Sequence, residues 1–151
     1  MPKRIDLTRV KVNRGSRYPA PFDQPCAARE RQRLGDAADL TAFGVNLLRL
    51  PPGAWSSQRH WHSAEDEFIY VLEGEVVLVT DGGEEMLRPG DCAGFKAGAA
   101  DGHHVVNRQT RDAVVLEVGS RQPDRDAVDY SDIDMRVDRH GFTRKSGEPY
   151  P

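Results

Sequence analysis

Short runs of Val, Leu, Ile, Phe and Tyr recur through the middle of the chain, each five to eight residues long. The segments 44–50, 67–74, 75–80, 85–89, 91–95, 103–107 and 113–119 read as strands, whose side chains alternate between two faces. Turn-forming residues separate them. Glu73-Gly74 and Asp81-Gly82-Gly83 offer the positive φ that tight hairpins demand, and Arg88-Pro89-Gly90-Asp91 breaks the next pair. With no helical run of ten or more residues inside this body, the pattern predicts an all-β domain, an antiparallel sandwich or barrel.

The flanks differ. Residues 1–40 carry Tyr18-Pro19-Ala20-Pro21-Phe22 and then a polar, Arg-rich piece, and they predict an extended arm with at most one short strand or turn. Residues 121–151 are rich in Asp and Arg and too poor in apolar residues for a second core. They predict an irregular tail draped over a body at 41–120. A single domain suits the length of 151 residues.

Charge narrows the partners. Twenty-one basic against 24 acidic groups leave a formal charge of −3, which gives no reason to expect nucleic acid or an anionic membrane surface. Arg29, Arg31 and Arg33 form one local basic run, read as a solvated face. No stretch approaches the roughly 18 apolar residues of a membrane span, and the first residues lack the apolar centre of a signal peptide. A cytoplasmic protein is expected. Cys26 and Cys92 lie far apart and form no CxxC pair, so idle thiols are expected, Cys92 as a small core filler.

The chemistry concentrates in His60-Trp61-His62-Ser63-Ala64-Glu65-Asp66-Glu67. On a strand His60 and His62 point the same way and Trp61 the opposite way, which makes a two-imidazole pincer for a metal. Glu67 opens the next strand on the face of Ile69 and Val71, so it is the best carboxylate candidate; Glu65 and Asp66 read as solvated. A fourth donor must come from the His103-His104 pair, of which only one can face inward. His140, in the polar tail, reads as exposed.

These residues resemble the cupin superfamily, in its small single-domain (cupin 2) form. Gly53, His60, His62, Glu67 and Gly74 match its first motif, with one extra residue between Gly53 and His60. Gly90, Gly98, His103 and Asn107 match the second, although Lys96 stands where proline is usual and two further residues separate Gly98 from the histidine. The H-x3-N spacing selects His103. The resemblance covers most of 44–119 and implies a jelly-roll barrel (a double-stranded β-helix). In its mouth His60, His62, Glu67 and His103 would hold one divalent transition metal, Fe, Mn, Ni, Zn or Co.

Such a fold does not fix the reaction. The resemblance implies a metal-dependent enzyme acting on a small oxygenated or anionic molecule, of the isomerase or cyclase type with the metal as Lewis acid. The alternatives are a non-catalytic ligand-binding or sensing module and an iron-dependent dioxygenase. The candidate base is His104. Phe95, Lys96, Arg49 and Arg108 are candidate substrate-pocket residues, with core or surface placement as the plainer reading of each. The partner expected is a small molecule, and a homodimer is expected through strand addition by the arm, which carries Val10, Val12 and Tyr18 to Phe22.

Overall fold

The computed structural model describes residues 3–151. Thirteen strands follow in order: β1 (Val12–Arg14), β2 (Glu30–Arg33), β3 (Phe43–Leu50), β4 (His60–His62), β5 (Glu67–Glu73), β6 (Val76–Thr80), β7 (Gly83–Leu87), β8 (Cys92–Phe95), β9 (His104–Val106), β10 (Ala113–Ser120), β11 (Val128–Tyr130), β12 (Arg136–Asp138) and β13 (Gly141–Thr143). All seven strands expected in the body form, within a residue or two at most ends, and all pairings are antiparallel. The fold is all-β, as the alternation predicts.

Three sheets build it, ordered β1-β2-β3-β10-β5-β8, β7-β6-β9 and β13-β12-β11-β4. The core lies where the first two face each other. Leu48, Val115 and Val71 are register partners on three neighbouring strands and are fully buried. They meet Val76, Leu87 and Val105 from the smaller sheet. Each such side chain, once buried, contributes about 1.5–3 kcal/mol.

Gly74 is a residue the fold requires. It sits at φ +70°, and a Cβ there would lie 2.6 Å from the Asp112 carbonyl oxygen and 2.8 Å from the Ala113 Cα. Only glycine lets β5 end against the start of β10 in this way.

Both flanks are more regular than their sequence suggests. The arm gives two strands, β1 and β2, which extend the large sheet beside β3 within one chain. The edge of β3 is thus covered by the chain's own β2. The tail, expected to be irregular, gives β11, β12 and β13, and β11 pairs directly with β4, the strand carrying His60 and His62. The arm strands are almost wholly polar and rest on backbone pairing, whereas the tail strands also bury Tyr130 and set Phe142 against Tyr18. Two further expectations fail: Cys92 is exposed while Cys26 is buried, and Arg29 is almost fully buried instead of lying on a solvated face. His140 is exposed.

Candidate metal centre

His60 and His62 project from β4 on one side, and β4 is held between β11 and the loop residue His103. Glu67 opens β5 opposite Gly119 and Phe95. Its carboxylate is the meeting point. Nε2 of His60 lies 3.2 Å from one Glu67 oxygen, and Nε2 of His103 lies 3.1 Å from the other. Nε2 of His62 is also in contact with Glu67. Four side chains from three separate segments converge, and His60, His62 and Glu67 bring donor atoms within reach of one ion.

The outer nitrogens say what the inner ones can do. Nδ1 of His60 donates to the Gln58 carbonyl at 2.8 Å, with the Ser57 hydroxyl at 3.2 Å. Nδ1 of His62 donates to Asp126 at 2.6 Å. With Nδ1–H committed, a neutral ring turns the lone pair of Nε2 toward the carboxylate, another acceptor. Lone pairs facing a carboxylate are compatible only with a proton or a cation between them. The donor set, neutral imidazoles and one carboxylate, suits a divalent transition metal.

The electrostatics agree. Burial opposes ionisation of Glu67, but hydrogen bonds from His103, His60 and His62 outweigh it and hold its carboxyl well below the usual range. Burial alone would lower His62, yet its contacts with Glu67 and Asp126 win and push it up to about 9. His103 is moved the other way, chiefly by burial. Its ring stacks on Phe95, centroids 3.5 Å apart, and its buried Nδ1 meets no hydrogen-bond partner among the described residues.

Two cavities, of about 1060 and 380 Å³, share His62, Glu67, Phe95 and His103 in their walls. The larger continues past Tyr18, Arg29 and Arg31 of the arm and Tyr130 of the tail.

Not every expected pocket residue is there. Phe95 lines both cavities, whereas Lys96 borders only the smaller and holds Asp66 at 3.2 Å. Arg49 and Arg108 line neither: Arg49 faces solvent 3.4 Å from Asp112, and Arg108 grips Glu84 through two bonds. Both lie on outward faces of their segments. His104 follows His103 and takes the opposite face; its Nδ1 meets the Ser57 carbonyl at 2.8 Å and its ring packs edge-on against Trp55. Burial lowers its pKa. The ring is thus turned toward Ser57 and Trp55 rather than toward Glu67, although His104 also borders the larger cavity. Asn107, the motif's last residue, is fully buried and donates to the Leu50 and Arg111 carbonyls at 2.8 Å, which pins the loop after β9.

Sequence reasoning missed Asp126 and the arm arginines. Asp126 also accepts from the backbone N–H groups of Ala64 and Glu65, and no spacing rule marks it. The arginines did carry a signal, since Arg29, Arg31 and Arg33 alternate as an inward strand face does.

The match to known proteins follows the same residues. The model of the cupin domain family matches residues 46–119. A crystal structure of a sugar phosphate isomerase of the cupin superfamily from Silicibacter pomeroyi superposes with a TM-score of 0.92 at 47% identity, over 99% of this chain and 97% of that one. A protein from Acidithiobacillus ferrooxidans, provisionally described as a sugar phosphate isomerase, gives 0.76 at 31% identity over 91% and 85%. The polyketide cyclase RemF from Streptomyces resistomycificus gives 0.65 at 25% identity, over 81% of each chain. No curated protein matches the chain. No helix among the described residues is long and apolar enough to cross a membrane.

Proposed function

This chain belongs to the cupin superfamily, and from that membership we propose that it is a metal-dependent isomerase acting on a small oxygenated or anionic molecule. The observation that carries the reading is the convergence of His60, His62 and His103 on the Glu67 carboxylate, in the wall of a cavity of about 1060 Å³. The two relatives described as sugar phosphate isomerases, similar over nearly the whole chain, support the reaction class.

His60, His62, Glu67 and His103 would hold the cation. Once bound, a divalent cation supplies Lewis acidity that polarises a substrate oxygen and lowers the barrier to moving a proton on the adjacent carbon. The chain's own residues prepare that site. Gln58 and Asp126 fix the rings of His60 and His62 with Nε2 inward. Phe95 covers one face of His103 and keeps water off that ring.

Incubation of the metal-loaded protein with aldose and ketose phosphates in deuterium oxide tests the proposal. Metal-dependent incorporation of deuterium beside the carbonyl, with interconversion of the two sugars, is expected. Tight metal and ligand retention without exchange would favour a sensing module, and consumption of dioxygen would favour an oxygenase. The likeness to a polyketide cyclase supports a second reading, cyclisation of a polyketide-like phenol, checked by the same incubation with such substrates.

A further inference from the structure

The large sheet turns a polar row into the cavity. Arg31 is the register partner of Leu48 on β3, and Leu48 points into the core, so Arg31 shares its inward face. Arg29 and Arg33 lie two positions to either side. On β10 the same face carries Glu117, and two residues further along, Gly119 is paired with Glu67. Glu117 is therefore the diagonal neighbour of Glu67, and such neighbours have Cα atoms roughly 7–8 Å apart.

Two of these groups are built in, not draped over the surface. Nε and Nη2 of Arg31 donate to the two Glu117 oxygens at 2.9 and 3.2 Å, with both side chains largely buried. Arg29 is 8% exposed. Its Nε donates to the Gly15 carbonyl at 3.0 Å and its Nη1 to the Ser56 carbonyl. Tyr18 offers its ring 5.9 Å from the guanidinium. No carboxylate among the described residues lies within ion-pair distance of Arg29.

The charges do not cancel. Arg29 and Arg31 set two positive charges against the Glu117 carboxylate in the wall of one cavity, while the nearby Glu67 carboxylate is already engaged by three histidines. A buried cation without a counter-ion is costly, and each guanidinium uses only two of its five N–H donors in the contacts above. An oxyanion in the cavity would answer both deficits, since the guanidinium fork matches phosphate and carboxylate oxygens.

We infer that Arg29 and Arg31 form the subsite for an anionic end group of the substrate, a phosphate monoester or a carboxylate. Glu117 is the internal anion that holds Arg31 in place and yields it in part when that group enters. That the anion belongs to a substrate rests on the enzymatic reading of the cavity above; whether the subsite binds an anion can be measured without turnover.

Calorimetric titration of the metal-loaded full chain with inorganic phosphate, and separately with malonate, at low ionic strength tests it. The wild type binds one anion per chain, and the tighter of the two probes identifies the end group. Arg31→Gln weakens binding by about tenfold, the size of one lost charge-assisted contact. Glu117→Gln acts in the opposite direction and tightens it severalfold, because the competing carboxylate is gone. Should Arg31→Gln fail to fold, the sign of the Glu117→Gln effect decides alone, since an ion pair of purely structural role would leave affinity unchanged. No binding of either probe, or equal affinity in wild type and Glu117→Gln, which would put the anion on the metal alone, overturns the proposal. Either result would leave metal-dependent deuterium exchange intact, so the isomerase reading stands or falls separately.

Discussion

The Asp126 carboxylate lies 2.6 Å from Nδ1 of His62 and fixes the ring from behind, from a tail residue 64 positions away in sequence. It is itself fixed by the Ala64 and Glu65 amides at 2.9 and 3.2 Å. A carboxylate so placed sets the tautomer of a ligand and raises its basicity. Asp126→Asn should weaken metal affinity by about 10–100-fold, the usual effect of losing such a partner. Competition against a chromogenic chelator measures it. Unchanged affinity would mean that Asp126 serves the loop only.

A proton should leave as the metal enters. With its pKa pushed up to about 9 from 6.5, His62 is protonated at pH 7.5 in the metal-free protein. A ligating Nε2 must lose that proton. Calorimetry in buffers of different ionisation enthalpy should therefore report about one proton released per metal at this pH. Release near zero would show that the ring is already neutral.

The same shift fixes the sign of a stability effect. A group whose pKa is raised on folding contributes stability that is fully present below its unfolded value and is lost as pH rises through its folded value. For His62 that window runs from 6.5 to about 9. In chelator-treated protein this contribution falls across the window, whereas the metal-loaded form does not follow it because the cation replaces the proton. Thermal melts at pH 6.5 and 9.5, with and without chelator, check the difference between the two forms.

The strands were readable as short apolar runs between turn residues, and β5 shows the two-residue period outright, with Ile69 and Val71 buried and Phe68, Tyr70 and Leu72 outside. The H-x3-N spacing pointed to His103 without deciding between it and His104; the structure turns Nε2 of His103 to Glu67 and Nδ1 of His104 to the Ser57 carbonyl. The tail strands were not. Val128–Tyr130, Arg136–Asp138 and Gly141–Thr143 are each three residues long, too short for an alternation to stand out, although Tyr130 is buried and Phe142 packs on Tyr18. Asp126 depends on that tail and was hidden with it. The arm arginines were misread because charge outweighed alternation: a basic run is usually solvated, and only the pairing of Arg31 with Leu48 shows that this one turns inward.

Two motif glycines should respond differently to alanine. Gly53 (φ +82°) and Gly74 (φ +70°) both occupy the left-handed region, which costs a side-chain-bearing residue about 1–3 kcal/mol. Around Gly53 the space is open, while a Cβ added at Gly74 would lie 2.6 Å from the Asp112 carbonyl oxygen. Gly74→Ala should lower the melting temperature clearly more than Gly53→Ala. Equal losses would mean that the β5–β10 junction relaxes freely.

Arg49 and Arg108 provide the contrast for the arm arginines. Each is exposed and paired with an acidic neighbour outside the cavities. Arg49→Ala and Arg108→Ala should leave metal content and turnover unchanged and shift stability by no more than about 1 kcal/mol, as for surface ion pairs. A large loss of turnover in either would place substrate on the outer surface.

Native mass spectrometry on protein purified without chelator tests the metal centre most directly, on the wild type and on His62→Ala, His103→Ala and His104→Ala. The geometry predicts one transition metal per chain in the wild type and in His104→Ala, and loss of most of it in the other two. A wild type without metal, or a metal kept in full by His62→Ala and His103→Ala, would contradict the site.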